Sequence, residues 1–227
     1  MTNHNSPRIV EIIGPAGVGK TPLCRALSPC KKTFYIGNFH DVRKFSSAPF
    51  FLWNGFRISP ALLGLPKHNS RKLTRREFAW LSILRGWPDI LKRNLKNNQI
   101  TILDQGPVYL LAETSEFGPD YLKEQKADGF WKNLYSRWAD TLDMIIWLDA
   151  SDTSLMNRIR NRDKGHVVKN ESDETTFEFL ARYRKAYEQT ISNLSANHSD
   201  LKILRFDTSK TSAEEIVCRL LFEFSSI

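Results

Sequence analysis

The chain has 227 residues, a formal net charge of +8 and 41% hydrophobic residues, with 14 Phe and 6 Trp to fill a sizeable core. That length suits one large domain, or one domain carrying an insert. The apolar runs are too short for a membrane span, the polar stretch 1–7 lacks a signal-peptide pattern, and Cys24, Cys30 and Cys218 show neither metal nor disulfide spacing. A soluble, cytoplasmic protein with reduced thiols is therefore expected. The positive charge is local. Nine Lys and Arg face only Glu77 and Asp89 between Lys67 and Lys96, whereas ten acids face seven bases from Glu171 onward. Such a segment points to a local anionic ligand more than to general nucleic-acid affinity.

In chain order, Ile9 to Ile13 is short, apolar and β-branched and predicts a buried strand. Gly14-Pro15-Ala16-Gly17-Val18-Gly19-Lys20-Thr21 follows, matching G-x-x-x-x-G-K-[ST] at every fixed position. A helix then begins near Pro22. Strand, glycine loop and helix N-terminus are the setting in which backbone N–H groups turn inward around a polyphosphate. In that setting Lys20 reaches the β- and γ-phosphates and the Thr21 hydroxyl binds Mg²⁺. Pro22 has no N–H and no hydroxyl, so this loop lacks two donors near the α-phosphate.

Thr33 to Gly37 predicts a second strand. Phe- and Trp-rich residues 48–65, interrupted by Pro49, Gly55, Pro60 and Gly64, read as broken helices or a folded loop, either an apolar acceptor pocket or a core flap. A helix is expected around Thr74 to Lys96. The third strand, Ile100 to Asp104, delivers Asp104-Gln105-Gly106-Pro107. Asp104 suits Mg²⁺ binding or acceptance of a hydroxyl proton; the alternative is a cap for a helix starting near Val108.

Further helices are expected over Tyr121 to Leu142, Thr153 to Arg162, Glu174 to Leu194 and Ser212 to Phe224, with strands at Met144 to Asp149 and Lys202 to Phe206. Arg158 and Arg162 are four apart and share a helix face, whereas Arg160 points elsewhere. They lead into the basic, glycine-containing stretch to His166. A mobile lid over phosphates fits this pattern, and so does a solvated basic helix end. Ser212 with Glu215 is a capping-box pattern. Alternation of strands and helices implies an α/β fold with a parallel sheet covered on both faces, and ligands gather at the carboxyl ends of its strands.

Together these residues resemble the small P-loop nucleoside and nucleotide kinases, most closely the thymidylate-kinase-like group. The resemblance rests on Gly14 to Thr21, on Asp104-Gln105-Gly106-Pro107, on Ile145 to Asp149 followed by the arginine-rich stretch, and on Phe206-Asp207-Thr208-Ser209. It implies a three-layer P-loop sandwich over 1–227, with a five-stranded parallel sheet ordered 2-3-1-4-5. An acceptor-binding insert would occupy about 41–98 and a lid about 157–170. It also implies ATP and Mg²⁺ as cofactors, γ-phosphoryl transfer to a small-molecule acceptor, and a frequent homodimer. Lys20, Asp104, Arg158 and Arg162 would be catalytic, Gly14 to Pro22 with Thr208 and Ser209 would hold ATP, and Thr21 and Asp104 would hold the metal. Asp41, Trp53, Arg57, Arg76 and Gln105 are the candidate acceptor contacts. Gln105 departs from the family, which places a phosphate-gripping Arg there. Alternatives are a kinase of nucleic-acid ends using the basic segment, or a nucleotide-binding switch. No Asn-Lys-x-Asp guanine motif occurs to support the switch.

Overall fold

The computed structural model describes residues 9–30, 34–38, 48–66, 70–94, 100–198 and 200–225. Five strands, β1 (Ile9–Ile13), β2 (Phe34–Asn38), β3 (Ile100–Asp104), β4 (Met144–Asp149) and β5 (Lys202–Asp207), form one sheet in the order β2-β3-β1-β4-β5. All four pairings are parallel. In register, Ile12 of β1 pairs with Asp104 and Ile13 with Trp147. The ends of the strands that carry motifs thus lie side by side.

The period of two divides the core. Ile9, Ile13, Leu103, Ile145 and Trp147 pack to one side of the sheet, with α2 (Ala48–Leu63), α3 (Arg75–Asn94), α4 (Pro107–Phe117), α5 (Asp128–Ala139) and much of α7 (Asp173–Ser195). Val10, Ile12, Ile102, Ile146 and Leu148 pack to the other, with α1 (Lys20–Leu27), α6 (Asp152–Arg160) and α8 (Ala213–Ser225). Strands buried on both faces are near-continuously apolar, as β1 and β4 are. Glu11 is the exception: it is fully buried within β1 on the face of Leu103 and Trp147.

Residues 48–63 form one helix, not broken helices, with Pro60 in its last turn. Proline there leaves only a carbonyl of the preceding turn unbonded. A second interior proline, Pro88 in α3, removes the N–H that the Leu84 carbonyl would accept. The indole N–H of Trp138 on α5 donates to that carbonyl instead, at 2.8 Å. The other helices follow the expected spans to within two residues, except in 121–142. There two short 3-10 turns precede α5, which runs only from Asp128 to Ala139. Thr74 and Glu77 form a reciprocal capping box at the start of α3, and Ser212 and Glu215 form another before α8. No described helix is long and apolar enough to cross a membrane.

Candidate active site

The glycine loop joins β1 to α1 at the carboxyl edge of the sheet. Gly14, Gly17 and Gly19 have φ of 143°, 80° and 101°. A Cβ on Gly14 would lie 2.2 Å from the Leu148 carbonyl oxygen, so the loop packs against β4 only because that side chain is missing. Lys20 folds over the loop and donates its ammonium to the carbonyls of Gly14 and Pro15. Burial pushes its pKa down to about 8; the nearby Asp104 charge opposes this and Arg162 adds to it. Thr21 and Pro22 are exposed in the first helical turn, where N–H groups have no intrahelical partner. Pro22 occupies the third helical position, and the next N–H, of Leu23, is already bonded to the Gly19 carbonyl.

Asp104 ends β3, and two residues later α4 begins. Every N–H at the start of α4 is satisfied without Asp104. Pro107 has none, Val108 and Tyr109 donate to the two carboxylate oxygens of Glu11 at 2.7 and 3.1 Å, and Leu110 donates to the Gly106 carbonyl. The capping alternative for Asp104 is therefore wrong, because Glu11 occupies that role from the neighbouring strand. The Oδ1 of Asp104 is buried and has no hydrogen-bond partner among the described residues. Burial raises its pKa, and Lys20 pulls it back down.

Both groups open onto one cleft of about 980 Å³. The phosphate loop forms its floor. Arg158 and Arg162 line one side, with Lys164 and His166 beyond α6. Thr208, Thr211, Ser212 and Ile216 lie at the edge near β5 and α8. Gln105, Tyr109, Phe179, Tyr183 and Tyr187 line the remainder. Arg158 donates to the hydroxyl and carbonyl of Thr208, at 3.0 and 3.1 Å, so α6 and the β5–α8 connection are tied together beside the cleft. Arg162 donates to the Gly165 carbonyl, while its Nε is buried and unpartnered among the described residues. Arg160 turns away to Asp173.

Among solved structures, the chain is similar to a thymidylate kinase from Candida albicans. The TM-score is 0.56 at 15% identity, covering 96% of this chain and 91% of that one. It is also similar to a deoxyadenosine kinase from M. mycoides with bound dATP, with a TM-score of 0.51 at 17% identity, covering 94% and 99%. The fold is that of the small P-loop nucleoside and nucleotide kinases. No protein-family model matches the chain, and no curated protein matches it.

Not all of the candidate acceptor contacts reach this cleft. Asp41 lies outside the described residues. Trp53 is 59% exposed on α2, where it stacks on Phe56, and Arg57 is exposed on the same helix; neither lines the cleft. Arg76 is exposed, with its guanidinium 4.3 Å from the Trp80 ring, and does not line the cleft either. For Trp53 and Arg57 the cause is that residues 48–63 form an unbroken helix on which Trp53 and Phe56 are exposed. Ser209 lies beyond the lining, its N–H held by the Asp207 side chain. Of the acceptor candidates among the described residues only Gln105 lines the cleft, and it holds a left-handed φ of 56°.

Sequence reasoning missed the aromatic lining that α7 contributes. Phe179, Tyr183 and Tyr187 recur every four residues on α7, a spacing that places them on one face. Phe179 and Tyr183 lie 4.8 Å apart, centroid to centroid, and Tyr183 and Tyr187 6.1 Å apart. The Tyr183 hydroxyl donates to Glu113 of α4, and burial raises the Glu113 pKa. Glu11 was also missed, although a single acid inside an apolar strand is itself a signal of a buried partner.

Proposed function

We propose that this chain is an ATP- and Mg²⁺-dependent kinase that moves the γ-phosphoryl group of ATP onto a hydroxyl of a small-molecule acceptor of the nucleoside type. One observation carries the reading. Lys20 of a complete phosphate loop and Asp104, whose buried Oδ1 has no hydrogen-bond partner among the described residues, line the same cleft.

The residues fit the groups this reaction needs. A Cβ on Gly19 would meet nothing within 4 Å, so the loop's mouth has room for a polyphosphate. Residues 14–22 would surround the phosphates, with Lys20 turning from the Gly14 and Pro15 carbonyls to the β- and γ-oxygens. Thr21 and Asp104 would hold Mg²⁺, which supplies positive charge to the β- and γ-oxygens. Asp104 would also orient the acceptor hydroxyl and receive its proton. Arg158 and Arg162 would place charge on the phosphates from the lid side. Thr208 would lie beside the adenine, with Ser209 following it in the same turn.

The acceptor reading follows from the lining of the cleft. Gln105 is a neutral amide, and no arginine of α2 or α3 lines the cleft. Arg would offset a phosphate dianion through charge-assisted paired bonds, and an amide cannot. Aromatic faces beside one amide suit an uncharged body. The acceptor is therefore unphosphorylated. The experiment measures ADP formation with nucleosides and with their monophosphates, in wild type, Lys20→Ala and Gln105→Arg. Transfer to nucleosides that disappears in Lys20→Ala, with gain for monophosphates only in Gln105→Arg, supports the reading. Wild-type preference for monophosphates overturns the acceptor assignment, and undiminished turnover in Lys20→Ala overturns the kinase itself.

A further inference from the structure

We propose that Glu11 is the positioning residue of this site: from within the central strand it fixes the turn that aims Asp104 into the cleft. The inference rests on the reading of Asp104 given above. Glu11 is fully buried and does not line the cleft, so it touches neither phosphates nor acceptor. Its role runs through the backbone that it holds.

The chain must pass from the last residue of β3 to the first of α4 through Gln105 and Gly106 alone. Gln105 does so in the left-handed region, which a side chain with a Cβ adopts only where its surroundings dictate it. Gly106 does so because the Glu11 carboxylate fills the space a side chain would need. A Cβ there would lie 2.8 Å from the Glu11 Cδ and 3.0 Å from its Oε2. The carboxylate then accepts from Val108 at 2.7 Å and from Tyr109 at 3.1 Å. Both oxygens are spent on the α4 N-terminus, and no side chain of α4's own N-cap assists. On the other side, β1 pairs residue by residue with β3, Glu11 beside Leu103 and Ile12 beside Asp104. Glu11 therefore grips both flanks of the turn. Because it satisfies the helix, the Oδ1 of Asp104 is left without a hydrogen-bond partner among the described residues, and Asp104 lines the cleft. Asp104 and Tyr187 are the titratable groups whose fields meet Glu11, and burial pushes its own pKa up to about 8.

The test uses the full chain and Glu11→Gln, which keeps size and shape but aims an NH₂ donor at an N–H. Nucleotide affinity and acceptor KM should stay within about threefold of wild type, because the phosphate loop is untouched. The kcat should fall about tenfold to a hundredfold, the range expected when a catalytic group is displaced by a fraction of an ångström. In an Asp104→Asn background the same change should lower kcat by less than about twofold, since no carboxylate remains to be aimed. An unchanged kcat in Glu11→Gln overturns the proposal. So does an equal loss in both backgrounds, which makes Glu11 a support of the fold in general.

If Glu11→Gln does not fold, Glu11→Asp decides. It keeps the carboxyl group but shortens the reach, so a lowered kcat with unmoved KM supports the role and an unmoved kcat overturns it. If wild type transfers phosphate to no acceptor, the kinase reading fails separately. The ¹³C resonance of the Asp104 carboxyl then reads the aim directly. A resonance moved by Glu11→Gln supports positioning, and a coincident one overturns it.

Discussion

At the scale of residues, the site is a set of charges held where water is scarce, and their titration is its signature. Asp104→Asn keeps shape while removing the charge that would hold the metal and take the proton. Turnover should fall by about two orders of magnitude or more at unchanged stability, because α4 is capped by Glu11 and not by Asp104. Parallel kinetics and thermal unfolding check this, and near-normal turnover sinks it. Glu11 titrates at about 8 against 4.5 for an ordinary carboxyl. Between those values the native state keeps a proton that the unfolded chain has lost. Stability is therefore greatest below about 4.5 and is lost as pH rises through about 8. Relative to Glu11→Gln, wild type should lose a few kcal/mol of unfolding free energy across that window, since each pH unit between the folded and unfolded pKa is worth ~1.4 kcal/mol. Lys20, lowered to about 8 from 10.5, works in the opposite sense only above that window. Denaturant unfolding of both proteins from pH 5 to 8 measures the difference, and parallel slopes would contradict it.

At the scale of elements, α1 is where this chain departs from its own motif. Pro22 sits at the third helical position, where proline's fixed φ is tolerated and the missing N–H breaks no intrahelical bond. The helix forms undisturbed, and the loss falls on whatever anion lies at its N-terminus. Pro22→Thr restores one N–H and one hydroxyl beside the cleft that Pro22 lines. A hydrogen bond to a charged group contributes about 1.5–3 kcal/mol, so ATP should bind roughly tenfold tighter or more. Calorimetric titration of both proteins with ATP checks this. An equal or weaker affinity means that the loop satisfies the α-phosphate by another route.

At the scale of the whole molecule, α3 and α5 are locked together by a joint that the sequence does not show. Pro88 would leave the Leu84 carbonyl unpaired in the core, and Trp138 closes that gap while packing edge-on against Trp87, with centroids 5.8 Å apart. Arg137 reinforces the joint through the Arg85 carbonyl and Asp89. Trp138→Phe keeps an aromatic ring and removes the donor. It should destabilise the protein by about 1–3 kcal/mol, the cost of a buried carbonyl left unpaired. Pro88→Ala in the same protein should restore much of that loss, since α3 can then bond Leu84 itself. Failure of the second change to rescue the first would mean that packing, not the hydrogen bond, sets the cost.

The phosphate loop, the sheet strands and the Ser212–Glu215 capping box were legible in the sequence because each is local. A glycine turn, an apolar strand and a Ser-x-x-Glu box are set by neighbours a few residues apart. Lys20, Asp104, Arg158 and Arg162 could be named for the same reason, each lying beside a short motif or a strand end. What the chain alone left open depends on contacts distant in sequence. Whether Asp104 caps α4 was decided by Glu11, 93 residues earlier in a neighbouring strand. Whether the aromatic stretch 48–63 lines a pocket was decided by α3, against which α2 packs and which leaves Trp53 and Phe56 facing out. The aromatic lining of the cleft came instead from α7. Period-four spacing marks a helix face, but only the packing of that helix against α4 determines what the face meets.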